Sequence, residues 1–151
     1  MKIVYTILLL ILVLSSYIIL ISFCYQPYNY NYFADSKVYD VRIINGFTQN
    51  SSLPLVIWCR TGEGGDLGGR ALQEGDDYAW SVKTSFWKLS NNEVFVCTMK
   101  WEKKRKSFEA FKGRRDGVRC GALRKCSWLV KEDGFYFSSD EISWTKDFSW
   151  P

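Results

Sequence analysis

The groups able to do chemistry in this chain are carboxylates, cysteines and a run of cations, because its 151 residues contain no histidine. Without imidazole there is no base for a Ser–His or Cys–His triad, no His-bearing zinc site, and no acid/base pair of the ribonuclease kind. Adjacent carboxylates occur at Asp76-Asp77, Glu132-Asp133 and Asp140-Glu141. Neighbouring side chains on a strand diverge to opposite faces, and each pair lies in or beside a turn, where acids serve local hydrogen bonds. Converging carboxylates of the kind a glycosidase needs are therefore not indicated. The segment from Thr61 to Arg70 carries five glycines in ten residues. It matches neither phosphate-cradling pattern, and Glu63 and Asp66 are too few for a calcium loop. It reads as a flexible connection between two strands, open to a binding role. No catalytic residue, metal or cofactor is assigned, and the expectation is a non-enzyme.

The cysteines have their own logic. Met1-Lys2 precedes an apolar run from Ile3 to Phe23, broken only by Thr6, Ser15, Ser16 and Ser22. A basic start, an apolar centre and small residues at the end are the parts of a secretory signal peptide. Residues 1–24 are assigned to it, with cleavage before Tyr25 and an alternative cut near Ser15 and Ser16. The rival reading is an uncleaved anchor, since about 20 apolar residues span a bilayer. Cleavage would remove Cys24 and leave Cys59, Cys97, Cys120 and Cys126. An even number of cysteines on an oxidising route fits two disulfides, whose three possible pairings the sequence leaves open. The gap between Cys120 and Cys126 is too wide for a zinc knuckle.

Around these residues the chain reads as strands. Tyr25 to Ser36 is a loose polar-aromatic lead-in. Tyr39, Val41 and Ile43 then share one strand face, with Asp40 and Arg42 opposite. Further strands are expected at Leu53–Arg60, Tyr78–Lys83, Ser85–Leu89, Glu93–Trp101, Ser107–Phe111, Ser127–Lys131 and Phe135–Ser138. Turn signals separate them at Asn45-Gly46, Glu74-Gly75-Asp76, Asn91-Asn92, Lys112-Gly113 and Asp133-Gly134. In phase with apolar neighbours, Cys59, Cys97 and Cys126 should face the core, whereas Cys120 falls in a basic loop. No helical stripe is sustained over three turns, so the residues indicate an antiparallel sandwich or barrel.

Lys100 to Lys125 concentrates charge: eleven basic residues face only Glu102, Glu109 and Asp116, so the stretch is +8 and the rest of the chain −4. Such a cluster attracts acidic proteins or polyanions. Interleaved Trp101, Phe108 and Phe111 could stack on bases, but they also fit strand alternation, and an exported chain argues against nucleic acid. Asn50-Ser51-Ser52 is an N-glycosylation acceptor in an expected loop, so Asn50 is a candidate glycan site. The oligomeric state is not set by the sequence.

The order of these features resembles the plant self-incompatibility S-protein family, the S-protein homologues. The resemblance runs from about Val38 to Tyr136. It comprises Val41-x-Ile43-x-Asn45, Cys59, Asp66-Leu67-Gly68 with Leu72 and Gly75, and Tyr78 with Trp80. It continues with Phe95-Val96-Cys97, Trp101, Phe108, Cys120, Cys126-Ser127-Trp128 and Asp133-Gly134-Phe135-Tyr136. The resemblance implies a secreted, all-β, single antiparallel β-sandwich of seven to eight strands over residues 37–138, with two disulfides and no catalytic residues. In the best-understood members the protein is a female determinant recognised by a pollen receptor. Two departures stand out: a glycine-rich loop poor in acid before Asp66, and an added tail over 139–151 bearing Trp144, Phe148 and Trp150. The expected partner is a cell-surface receptor protein, with no nucleic acid and no membrane anchor after cleavage. Contacts are expected from Glu63, Asp66 and Arg70 and from Lys103, Lys104, Arg105, Lys106, Arg114 and Arg115. The alternative is an extracellular carbohydrate-binding or cationic defence protein.

Overall fold

A computed structural model describes residues 2–24, 37–48, 53–84 and 93–151. Two compact units are present, divided after Ala34. The first contains helix α1 (Lys2–Cys24), long and apolar enough to cross a membrane and placed where a signal sequence would lie. The expected lead-in over 25–36, the Ser85–Leu89 strand, the Asn91-Asn92 turn and the Asn50-Ser51-Ser52 acceptor lie outside the described residues.

The second unit is mostly β. Its strands are β1 (Lys37–Asn45), β2 (Leu55–Thr61), β3 (Asp66–Leu72), β4 (Asp77–Thr84), β5 (Val94–Trp101), β6 (Lys104–Lys112), β7 (Lys125–Lys131), β8 (Gly134–Ser138) and β9 (Thr145–Phe148). Helix α2 (Gly113–Arg119) connects β6 to β7. They form a five-stranded sheet in the order β4-β1-β7-β8-β9 and a four-stranded sheet in the order β3-β2-β5-β6. Tyr39, Val41 and Ile43 are buried while Asp40 is exposed, as their alternation predicts. Pairing is antiparallel except between β1 and β7, which run parallel. This corrects the fully antiparallel expectation. After β1 the chain crosses to the other sheet, and β7 arrives beside β1 from α2; a parallel pair requires such a crossover.

One core cluster draws on both sheets. Trp128 of β7 packs edge-on against Phe108 of β6, their ring centres 4.9 Å apart. Its Nε1–H donates to the Ala110 carbonyl at 2.8 Å, a bond from one sheet to the edge of the other. Asn45 supplies a second tie, its buried side-chain N–H donating to Leu72 O at 3.0 Å. Cys59 and Cys97 face each other across β2 and β5 and are joined in a disulfide. Cys120 joins Cys126 at the start of β7. In the chain-entropy view the longer closure contributes about 4 kcal/mol and the shorter about 2 kcal/mol.

Several local expectations are corrected. Cys120 is fully buried at the C-terminal end of α2 rather than in a loop. Lys112-Gly113 begins that helix instead of a turn. Leu53 is exposed, so the inward phase of β2 begins at Leu55. The β7–β8 turn is centred on Glu132-Asp133, because Lys131 pairs with Gly134. A hairpin at Glu102-Lys103, with Glu102 at φ 52°, starts β6 earlier than its apolar residues suggest. The glycine-rich segment is a tight hairpin followed by β3: Thr61 Oγ1 accepts the Gly65 N–H at 2.8 Å, and the Thr61 N–H donates to Gly65 O at 2.7 Å.

The stretch expected as an added tail contributes β9 and core aromatics. Phe148 stacks on Phe135 with ring centres 4.6 Å apart. Trp150 is buried beside Phe135 and Trp101, and its Nε1–H donates to Lys131 O at 2.8 Å. Removing a buried aromatic leaves a cavity as well as losing its transfer free energy. Trp150→Ala is therefore expected to lower unfolding stability by about 3–5 kcal/mol in guanidinium titrations. An unchanged midpoint would show that the segment is not part of the core.

Candidate functional site

Strand register decides which expected contact residues lie together. Thr61 pairs with Phe95, and Val94 with Lys112, so the β2–β3 hairpin, the start of β5 and the start of α2 share one end. Hydrogen bonds from Gly62 N–H to Val94 O (2.7 Å) and from Gly113 N–H to Glu93 O (2.8 Å) bind that end together. Lys103 lies in the β5–β6 turn at the opposite end. Glu63 and Arg114 thus belong to one end of the domain and Lys103 to the other; the two predicted segments do not form one patch.

Several of the predicted residues have structural work. The Asp66 carboxylate accepts the Gly68 N–H at 2.7 Å, and Gly68 sits at φ 86°, so Asp66-Leu67-Gly68 builds the bulge at which β3 shifts register against β2. Tyr78 Oη donates to Leu67 O at 2.8 Å beside this bulge, and burial then Asp66 raise its pKa. Arg115 donates through Nε and Nη2 to Asp116 at 2.9 and 2.8 Å and through Nη2 to Glu109 O at 2.8 Å. Asp116 is fully buried and also accepts the Lys112 N–H at 2.7 Å, which closes the first turn of α2. The hydrogen bond to Asp116 raises the Arg115 pKa against the opposing effect of burial. Lys104 lies 5.0 Å above the Trp101 ring and Lys106 5.3 Å above Phe148. Arg119, one of the basic residues of the Lys100–Lys125 stretch, lies 3.7 Å above Phe137 and pairs with Asp147 at 2.9 Å, pinning β9.

Two surfaces remain. At the hairpin end, α2 and the turn after it are clamped by Cys120–Cys126 and by the Arg115–Asp116 pair. They carry Val118 at 84% and Leu123 at 65% exposure. Arg114 and Arg124 lie on the same segments, and their side chains make no hydrogen bond or ion pair with described residues. The second surface is the outer face of the four-stranded sheet, where Trp58 is 55% and Val56 43% exposed. Trp58, Arg60, Thr98, Arg105 and Ser107 line an open depression of about 400 Å³ there. Arg70 is exposed on the edge strand β3.

The outer face of the five-stranded sheet has a trough of about 340 Å³ across β4, β1 and β7, lined by Asp40, Arg42, Lys125 and Glu141 among others, and Arg42 and Glu141 there belong to an internal network. Arg42 donates to Asp77 at 2.8 Å and to Glu141 at 3.3 Å, and Ser127 Oγ donates to Glu141 at 2.8 Å. The Ser127 bond leads in lowering the Glu141 pKa, with Arg42 assisting against burial. Asp140 shapes the turn that places Glu141. Its Oδ1 accepts the Ile142 and Ser143 N–H groups at 2.9 and 2.8 Å and the Ser138 hydroxyl at 2.8 Å. No group of three or more His, Cys, Asp or Glu placed to hold a metal occurs among the described residues.

A family model described as plant self-incompatibility protein S1 matches residues 40–150. The match extends through β9 to Trp150, so the C-terminal segment is not an addition to the family domain. The chain is 30% identical over 81 residues to S-protein homolog 5 of Arabidopsis thaliana, covering 54% of this chain. It is 29% identical over 101 residues to S-protein homolog 2 of the same plant, covering 65% of this chain. In each case the match spans 58% of the relative's length. No solved structure matches the chain.

The backbone donors around Asp140, led by Ser143 and Ile142, pull its carboxyl from 3.8 down to about 2. A carboxylate whose folded pKa is depressed adds stability that is complete above the unfolded value and fades as pH falls through the folded one. Asp140→Asn should therefore be less stable than the natural chain near neutral pH. The gap should close as pH falls from 3.8 to about 2, followed by thermal melting across that window. A gap independent of pH would remove the charge from the account.

Proposed function

Because the chain belongs to the plant self-incompatibility protein S1 family, we propose that it is an exported, non-enzymatic β-sandwich ligand read by a receptor protein on a plant cell surface. The apolar α1 resembles a signal sequence, and two disulfides fit an oxidising extracellular route. Cleavage before Tyr25 then releases the domain without a membrane anchor. Pollen rejection is one setting for such a ligand.

The observation that carries this reading is the clamped end of the domain. Val118 and Leu123 project from short segments held in place by a disulfide and by the ion pair of half-buried Arg115 with buried Asp116. Two exposed aliphatic side chains, beside Arg114 and Arg124 that make no ion pair among the described residues, form the apolar centre and charged rim that protein partners use. Their prior ordering lowers the entropic cost of association. Glu63, on the neighbouring hairpin, completes the surface, while Asp66 and Arg115 support it from within. Lys103, Lys104 and Lys106 are at the other end of β5 and β6 and fall outside it.

The purified, labelled protein should bind plant cells at a saturable, protease-sensitive site. Val118→Asp with Leu123→Asp should weaken that binding at least about tenfold, since buried interface anchors are often worth 2 kcal/mol or more. Melting temperature should be nearly unchanged, because both side chains are already in water. Binding indifferent to this pair, or turnover of a polysaccharide abolished by one carboxylate substitution, would overturn the proposal.

A further inference from the structure

The outer face of the four-stranded sheet is a second, chemically different surface. Along β2 the sequence alternates buried Leu55, Ile57 and Cys59 with exposed Val56, Trp58 and Arg60. A solvent-facing strand side ordinarily carries polar residues, so a tryptophan at its centre stands out. Trp58 is paired with Gly69 on one side and Thr98 on the other. A Cβ at position 69 would come within 2.8 Å of Trp58 Cε3, so the glycine opens the space in which the indole lies over β3. The opposite side of the indole is left toward solvent.

Cations bracket the ring. Arg60 is the next outward residue on β2, and Lys100 and Arg105 occupy the row of Val56, two steps away along the strands. At about 3.4 Å per residue the two rows lie about 14 Å apart along the strands, with Trp58 between them. Arg60, Lys100 and Arg105 make no hydrogen bond or ion pair with any described residue. The nearby acids are otherwise engaged: Glu109 pairs with Lys112 and Arg115, and Asp66 caps Gly68. Thr98 and Ser107, linked to each other at 2.7 Å, add hydroxyls to the floor.

From this arrangement we propose that the Trp58 face binds a carboxylate-bearing polysaccharide, with sugar rings lying on the indole and uronate groups held by Arg60 and Arg105. An arginine fork matches a carboxylate in two parallel hydrogen bonds. The indole offers a broad apolar platform for the C–H face of a pyranose ring. A peptide strand is the poorer occupant. Trp58 and Thr98 lie on β2 and β5, interior strands whose backbone groups are already bonded on both sides. Added-strand recognition needs a free sheet edge. The proposal is independent of the receptor surface, which uses other residues.

The test is retention of the purified protein on polygalacturonate, its fully methyl-esterified form, heparin and poly-glutamate. The expected result is binding to polygalacturonate that weakens with salt and falls at least about tenfold on the esterified polymer. Trp58→Ala and, separately, Arg60→Gln with Arg105→Gln should each weaken it about tenfold, whereas Val118→Asp with Leu123→Asp should leave it intact. Arg60 and Arg105 are exposed and make no bond with described residues, so the double glutamine variant should melt at an unchanged temperature, measured beside the retention to separate lost binding from misfolding. Equal binding to poly-glutamate, stronger binding to heparin, or retention untouched by both variants would overturn the assignment.

Discussion

The domain depends on how one tryptophan is buried. Trp128 is almost wholly enclosed, and an indole can be enclosed at low cost only if its N–H finds an acceptor. The acceptor is the Ala110 carbonyl on β6, the edge strand of the opposite sheet. This side chain helps set the position of one sheet on the other, fills space between them and satisfies the carbonyl of Ala110, the buried residue that the β5–β6 register shift skips. Phe108 meets its ring edge-on, and Phe135, Phe148 and Trp150 extend the aromatic packing toward the C-terminus. Arg115 covers a further β6 carbonyl at Glu109, and Tyr78 covers Leu67 on the β3 side. Exposed edges invite pairing with another chain, and both ends of the four-stranded sheet are thus partly closed by side chains.

The two disulfides brace different parts of that packing. Cys59–Cys97 joins the two interior strands β2 and β5, which between them present most of the Trp58 face. Cys120–Cys126 holds the junction of α2 with β7, where seven helical residues have little apolar surface to bury. Gly113 and Asp116 are the buried residues of that helix, so its position comes from the Asp116 carboxylate and the covalent bridge instead of an apolar stripe. Rigid presentation at the α2 end is therefore a product of polar and covalent constraints laid over a hydrophobic scaffold.

Residues whose burial follows a simple period were legible in the sequence. Tyr39, Val41 and Ile43, or Phe95, Cys97 and Met99, alternate cleanly because one side of each strand meets the core. β3 was not legible, since its glycines have no side chains to alternate and its bulge resets the phase at Gly68. α2 was hidden for the reason just given. β9 was hidden because its four residues, Thr145 to Phe148, carry one partly buried side chain, and Trp150 reaches the core beyond the strand. The Trp58 face did leave a trace: Leu55-Val56-Ile57-Trp58 is apolar on both phases, which reads as a strand buried on two sides. In a two-layer domain only one side can be buried, so half of that run had to face outward. The dispersal of the basic segment was beyond reading, because strand register sends Lys103, Arg105 and Arg114 to a turn, an outer face and a helix.

The outer faces of the two sheets use charge in opposite ways. On the five-stranded sheet Arg42 lies between Asp77 and Glu141, its pKa raised chiefly by the Asp77 hydrogen bond, and Ser127 completes the set. Arg42, Asp77 and Glu141 thus satisfy one another, and a ligand for any of the three would have to break existing bonds. On the four-stranded sheet Arg60, Lys100 and Arg105 surround an exposed indole without forming an ion pair with any described residue, although Asp66 lies across from Arg60 in the β2–β3 register. Unneutralised cations on one face repel one another and do nothing for the fold. An exposed Trp58 likewise contributes little to folding compared with the same ring buried. A face that combines both features is explained more simply by an external anion than by stability.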